Sequence, residues 1–291
     1  GIDLGSTNIK GVLIDPEGNV VQEDRNETNE QHDNHWKNAV AEMVQGFEKK
    51  AGRKIEAIGL SAPGLADTAN QCISFMPGRL PGLENYQWSQ LLNNRVWVLN
   101  DAHSALMAEA AFGVAKGLRH VVLLSLGTGV GGGILINGQL YQGVSQMAGH
   151  IGHTTVNADS AVRDITNMPG SIEDAVGNAT LPERSNGKYH TTEELVNDFR
   201  KGDPFAAEVW LTSVRRLAVC IASMINVLSP ECVILSGGIT QADEALLNPL
   251  NNFLDQYEWR PGGKKTPVKF ARFSDRAGAI GAAGFAFSKM K

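Results

Sequence analysis

The segment Asp3-Leu4-Gly5-Ser6-Thr7-Asn8-Ile9-Lys10 sets a carboxylate at the end of an apolar run and follows it with a Gly/Ser/Thr turn and a lysine. Backbone N–H groups and hydroxyls in such a turn can cradle a phosphate, and an ordinary hairpin turn draws on the same residue types. A second glycine-dense segment follows Leu126, where the seven positions 127–133 hold five glycines. Gly127, Gly129 and Gly132 spell G-x-G-x-x-G directly after an apolar run. The next residues, Ile134-Leu135-Ile136-Asn137-Gly138, read as a hairpin rather than a helix, and no acidic residue appears until Asp159. The dinucleotide reading therefore fails. What remains is a glycine hairpin whose backbone N–H groups can approach phosphate oxygens, with the Thr128 hydroxyl beside them. That many glycines weaken a strand, so some close approach has to justify them.

Asn100-Asp101 sits where an apolar run gives way to an alanine-rich segment. There Asp101 can cap a helix, or accept the proton of a hydroxyl during phosphoryl transfer. His150 and His153 lie in Ala148-Gly149-His150-Ile151-Gly152-His153. A zinc site needs about four ligands, and no cysteine lies within 50 residues of the pair, so hydrogen bonding to a polar substrate is the better reading. Glu173, in Pro169-Gly170-Ser171-Ile172-Glu173-Asp174, is either such a contact, a solvated helix residue or a partner of a helix N-terminus. The chain carries no G-x-x-x-x-G-K-[ST] and no protein-kinase H-R-D or D-F-G set, so any use of ATP calls for another fold.

Several elements have to position these groups. Apolar residues flank the turn in 1–15, and Pro16-Glu17-Gly18 leads into another short run, which predicts a three-stranded meander. Trp36, Val40, Met43, Val44 and Phe47 predict a helix over His35 to Lys50. Strands are expected at 55–60 and 95–99, then a helix from Ala105 to Phe112. The pattern restarts with a strand at 120–126, a hairpin about Asn137-Gly138, and a long helix from Pro204 to Leu228. A strand at 232–235 runs into the turn Ser236-Gly237-Gly238, and a last helix covers Ala277 to Ser288. Residues 157–189 are polar and weakly periodic and read as a loop over a site. Two strand–hairpin–helix halves point to duplicated architecture.

The chain has 291 residues, 32 of them glycine, and a formal net charge of −5. That length suits about two domains, and the charge disfavours nucleic acid or an anionic membrane as partner. There is no unbroken run of about 18 apolar residues and no basic-then-apolar leader at Gly1-Ile2-Asp3-Leu4. Cys72, Cys220 and Cys232 are scattered among aliphatic neighbours, as reduced buried thiols would be. A cytoplasmic location is the expectation.

In order, D-L-G-S-T-N-I-K, S-A-P-G-L (Ser61 to Leu65), N-D, L-G-T-G-V-G-G-G, A-G-H-I-G-H and L-S-G-G-I resemble the ROK family. It contains bacterial sugar kinases and sugar-responsive repressors. The resemblance covers nearly the whole chain. It implies an α/β, two-lobed actin-like ATPase (ribonuclease H-like) fold, with ATP and sugar in the interlobe cleft. The small lobe would be 1–101 plus 276–291 and the large lobe 102–275. Asp3, Gly5, Ser6, Thr7 and Lys10 would form the first phosphate loop, with Asp3 near magnesium through water. Gly127, Thr128 and Gly129 would form the second, and Gly237 and Gly238 the adenosine-side turn. Asp101 matches the general base and Asn100 its sugar-contacting neighbour; Gly64, His150, His153 and Glu173 would line the sugar pocket.

The chain also departs from the family pattern. His150 replaces the usual glutamate, exchanging an acceptor-only group for a ring that can donate or accept. Arg79 stands where an asparagine is common. The family's zinc cysteines fall on Asp164, Thr166 and Ser171, so no structural zinc is expected. The expected activity is an ATP-dependent sugar kinase acting on a hydroxyl of a hexose or its derivative, the 6-hydroxyl first, as a homodimer. A repressor would need a DNA-binding module before the first phosphate motif, and none precedes it in this sequence. A noncatalytic sugar sensor is the other reading. Against it, Asp3, Lys10, Asp101 and both glycine turns are all retained.

Overall fold

The computed structural model describes residues 1–5, 7–28, 35–76, 78–164 and 166–290. In chain order the strands are β1 (Ile2–Leu4), β2 (Asn8–Ile14), β3 (Val20–Glu27), β4 (Ile58–Ala62), β5 (Leu65–Ala66), β6 (Ile73–Phe75), β7 (Val96–Asn100), β8 (Val121–Leu126), β9 (Val130–Ile136), β10 (Gln139–Leu140), β11 (Cys232–Ser236) and β12 (Val268–Phe270). The α-helices are α1 (His35–Ala51), α2 (Trp88–Leu92), α3 (Asp101–Phe112), α4 (Ile172–Val176), α5 (Leu181–Arg184), α6 (Thr192–Arg200), α7 (Pro204–Leu228), α8 (Glu244–Tyr257) and α9 (Ala277–Ser288).

Contacts divide the chain into two units, Gly1–Leu118 with Leu140–Ala148 and Arg272–Lys291, and Arg119–Gln139 with Gly149–Ala271. The dividing points differ from those drawn at 101 and 276. Helix α3 packs on α9 in the first unit, so closely that a Cβ on Gly281 would strike the Ser104 carbonyl. The segment Leu140–Ala148 joins the same unit, where the buried His103 ring bonds the Ala148 carbonyl through Nε2 at 3.0 Å.

Each unit is built on a five-stranded sheet, in the orders β3-β2-β1-β4-β7 and β10-β9-β8-β11-β12. In the first, β1, β4 and β7 run parallel while β2 turns back on β1. In the second, β8, β11 and β12 run parallel while β9 turns back on β8. The duplication expected from the sequence is thus present in the strand order itself.

In the first unit, α1 buries Trp36, Val40, Met43, Val44 and Phe47 at the three- and four-residue spacing of an apolar helical stripe, against Ile2, Leu4, Leu60 and Val98 in one core cluster. In the second, α7 buries Val209, Trp210, Val214, Leu217, Cys220 and Ile221 beside Leu124 and Leu235. By length and composition α7 could cross a membrane; its buried stripe is instead the centre of this core. All three cysteines are buried and free.

Helices α6 and α8 escaped the sequence reading. In α8 the interior Pro249 breaks the pattern, because proline has no N–H to give the carbonyl four residues back. That carbonyl belongs to Ala245, and the Trp210 indole N–H donates to it at 2.8 Å. The stretch read as a loop over 157–189 holds two short helices, α4 and α5, both too brief to show a period.

Candidate active site

Parallel strands in an open α/β sheet present their carboxyl ends to ligands. In the first unit, Asp3 lies near the end of β1, paired in register with Lys10 of β2 and Ser61 of β4. The Ser61 hydroxyl donates to Asp3 Oδ1 at 2.7 Å. Burial drives the Asp3 pKa up to about 6; the Ser61 hydrogen bond opposes the rise, the Asp101 charge adds to it, and Lys10 offsets part of it. Lys10 Nζ donates to the Asp275 carbonyl at 2.9 Å and lies 3.5 Å from its carboxylate. After β1 the chain turns, with Gly5 N–H donating to Asn8 O at 3.0 Å. Thr28 holds this turn through its hydroxyl to Gly5 O at 2.6 Å and its N–H to Thr7 O at 3.0 Å. Thr7 itself is exposed. Ser6 lies outside the described residues.

At the end of β7, Asn100 caps α3: its Oδ1 accepts from the N–H groups of Ala102 at 2.9 Å and His103 at 3.4 Å. Its Nδ2 donates to Gly64 O at 2.9 Å, tying the turn after β4 to the start of α3. Gly64 has φ +99° and would drive a Cβ into the Phe75 carbonyl, so no other residue suits this position. The capping role considered for Asp101 falls mainly to Asn100. Asp101 Oδ1 accepts from the Ala102 N–H at 2.8 Å, and its residue stays open to solvent. The density of protein around the carboxyl raises its pKa, against the Ala102 N–H and the Arg79 charge, which pull it down. Arg79, singled out by sequence as a departure, thus acts on Asp101.

In the second unit, β8 and β11 end side by side, Ser125 paired with Ser236, and both glycine turns leave from these ends. Gly127 N–H donates to Gly129 O at 2.9 Å. Asn178 and Ala179 N–H groups donate to the carbonyls of Gly127 and Thr128, each at 2.9 Å, and the Thr128 residue is exposed. Gly237, at φ +89°, passes so close to the Leu126 backbone that a Cβ there would collide with it, whereas one on Gly238 would meet open space. Glu173 of α4 accepts the Val130 N–H on Oε2 at 2.9 Å, and a Cβ on Gly129 would strike that same carboxylate. The glycine at 129 is therefore shaped to Glu173.

A short 3-10 turn, Ile151–His153, brings His150 and His153 near each other. Burial and the neighbouring His153 lower the His150 pKa. The three positions matched to zinc cysteines do different things. Ser171 caps α4, its hydroxyl accepting from the Asp174 N–H at 3.2 Å. Asp164 and Thr166 instead reach the His153 ring, at 3.1 and 3.2 Å from Nδ1. Among the described residues, His153, Asp164 and Glu173 bring potential ligand atoms within 4.8 Å of one another, but His153 and Asp164 are hydrogen-bonded to each other and Glu173 accepts the Val130 N–H.

Sequence reasoning assigned no role to Ser61, Asp164 or Thr166. A signal for the latter two exists in the D-x-T spacing, because an aspartate commonly bonds backbone two residues on. Ser61 gives no local signal, since its role comes from the β1–β4 register.

The chain is 29% identical to the glucokinase of Thermotoga maritima, over 97% of this chain and 95% of that protein. The ROK hexokinase from Thermus thermophilus superposes at TM-score 0.87 with 27% identity, covering 100% of this chain and 98% of that one. A ROK family glucokinase from Streptomyces griseus, solved in complex with glucose and AMPPNP, superposes at TM-score 0.80 with 25% identity, covering 99% and 98%. The α/β fold described above is the actin-like ATPase fold of these structures. The sequence profile of the ROK family matches residues 1–289, and the chain belongs to that family.

Proposed function

We propose that this protein is an ATP-dependent sugar kinase that transfers the γ-phosphoryl group of ATP to a hexose or hexose derivative, at the 6-hydroxyl. The observation that carries the reading is the pair Asp3 and Asp101. Both stand at carboxyl ends of parallel strands, both have raised pKa values, and each carboxyl is felt in part through its charged surroundings. Kinship with a glucokinase solved with glucose and AMPPNP supports it.

In this reading Asp101 accepts the proton of the sugar hydroxyl as that oxygen forms its bond to the γ-phosphorus. Asn100 fixes the start of α3 and contacts the sugar beside Gly64. His150, His153 and Glu173 bind sugar hydroxyls. Gly5, Ser6, Thr7 and Lys10, with Gly127, Thr128 and Gly129, bind phosphate, and Gly237 with Gly238 accommodates adenosine.

The donor set suits magnesium: Asp3 offers a hard carboxylate oxygen, and a desolvated carboxylate gains from a nearby cation. Asp3 would hold the ion through water, and the bound ion neutralises phosphate charge. The protein would work in the cytoplasm, as a homodimer.

The test is ADP release from Mg-ATP against a panel of hexoses, N-acetylhexosamines and rarer sugars, with Asp101→Asn as control. Release that depends on one sugar and collapses in the variant establishes the activity. Sugar binding by calorimetry with no turnover on any sugar would make the protein a sensor instead.

A further inference from the structure

Asp164 is a buried carboxylate beside a half-exposed imidazole: its side chain has no solvent exposure, against 34% for His153. Its two oxygens have separate duties. Oδ1 accepts from the N–H groups of Thr166 at 2.8 Å and Met168 at 3.0 Å, and from the Thr166 hydroxyl at 2.7 Å. Oδ2 faces His153 Nδ1 at 3.1 Å. The Thr166 oxygen lies 3.2 Å from that same nitrogen, and its one proton is committed to Asp164. Two lone-pair acceptors therefore converge on Nδ1. The arrangement is satisfied only when Nδ1 carries the proton and donates to both.

We propose that Asp164, assisted by Thr166, is a positioning residue that fixes His153 with Nδ1 protonated, so that Nε2 of the neutral ring is a dedicated hydrogen-bond acceptor for a hydroxyl of the sugar. The substrate half rests on the kinase reading above; the clasp itself does not. Burial alone would raise the Asp164 pKa, but the Met168 N–H, the Thr166 hydroxyl and the His153 ring hold it down at about 2. The carboxylate is thus an acceptor throughout the neutral range. The Asp164 backbone is held as well, its N–H donating to Met168 O at 3.0 Å and its carbonyl accepting from Asn167 N–H at 2.8 Å. An anchored carboxylate on the far nitrogen of a histidine sets both its tautomer and its ring orientation, the same logic that orders histidines in metal sites and catalytic triads.

Asp164→Asn tests this directly. Two backbone N–H groups point at the Oδ1 position, so the amide oxygen must sit there and the NH2 must face Nδ1. The tautomer then inverts: Nδ1 becomes an acceptor and Nε2 a donor. The readout is nitrogen NMR of the full-length protein with 15N-labelled histidine, at about pH 8, above the range where imidazole titrates. The wild type is expected to show His153 with Nδ1 protonated and Nε2 bare, and Asp164→Asn to show the reverse. Alongside, KM for the sugar is expected to rise about 10- to 100-fold with KM for ATP unchanged. Thr166→Val, which keeps the side-chain shape, should shift the Nδ1 resonance and leave the tautomer in place, and it stands in if Asp164→Asn does not fold.

A wild-type ring protonated at Nε2, or an unchanged ring in Asp164→Asn, overturns the proposal. So does zinc chloride alone, if one equivalent moves both His153 nitrogens, because the ring is then a metal ligand. Should no sugar be phosphorylated, the spectrum still decides the clasp, and the kinase reading fails separately.

Discussion

The two units share one strand order and use it differently. At the carboxyl ends of β1 and β7 the first unit places side-chain carboxylates, Asp3 and Asp101, with Lys10 and Ser61 around them. At the ends of β8 and β11 the second unit places backbone, in the turns at Gly127 and Gly237. Repeated topology therefore dictates where a site can form, and the residues at the strand ends dictate its chemistry. Carboxyl groups set among protein atoms carry raised pKa values and proton-transfer potential. Glycine turns carry none, and act by letting backbone come close.

The largest expected effect lies on the carboxylate side. Asp101→Asn should lower sugar-dependent ADP release by about 10²- to 10⁴-fold, the range for loss of a general base, while calorimetry finds sugar affinity nearly intact. Loss of binding in step with turnover would make Asp101 a sugar anchor and erase the contrast between the units. On the backbone side, Gly129→Ala forces a methyl into the Glu173 carboxylate and should break its bond to the Val130 N–H. Small displacements of this kind cost about 10- to 100-fold. The loss should appear in kcat/KM with far-ultraviolet circular dichroism unchanged. An active, undisturbed Gly129→Ala variant would mean that the turn tolerates a side chain and that its glycines serve the strand alone.

Much of the fold could be read from the sequence because the strongest elements are periodic. Helices α7 and α9 begin and end where the residue pattern places them, and the meander and both glycine turns are where the turn residues put them. Helix α8 was hidden by Pro249, whose cost is met by a tryptophan 39 positions earlier in the chain, a long-range event with no local trace. The same reason explains the gaps at the site. Asp3, Asn100 and Asp101 are visible because strand ends and helix starts are local. Ser61 becomes a partner of Asp3 only through parallel register, and Asp164 a partner of His153, 11 positions earlier, only when the chain between them folds back.

The smallest effect is also the most specific to the carboxylate unit. The Asp3 carboxyl is held near a pKa of about 6, and the Ser61 hydroxyl works against that rise by stabilising the ionised form. If Asp3 must be ionised to hold magnesium, activity falls as pH drops through about 6, with Asp101 contributing to the same acid limb because its pKa is raised too. Ser61→Ala removes a hydrogen bond to a charged acceptor, a contact worth about 1.5–3 kcal/mol. The ionised form loses that support, so the acid limb of kcat/KM moves to higher pH. At pH well above the shifted limb Asp3 is ionised in both proteins and the rate changes little. Thr128→Val in the second unit removes a hydroxyl from an exposed turn, and should scale the whole profile without moving its limb. A limb that moved equally in both variants would show that the acid limb does not belong to Asp3, and the division between a titrating unit and a backbone unit would fall.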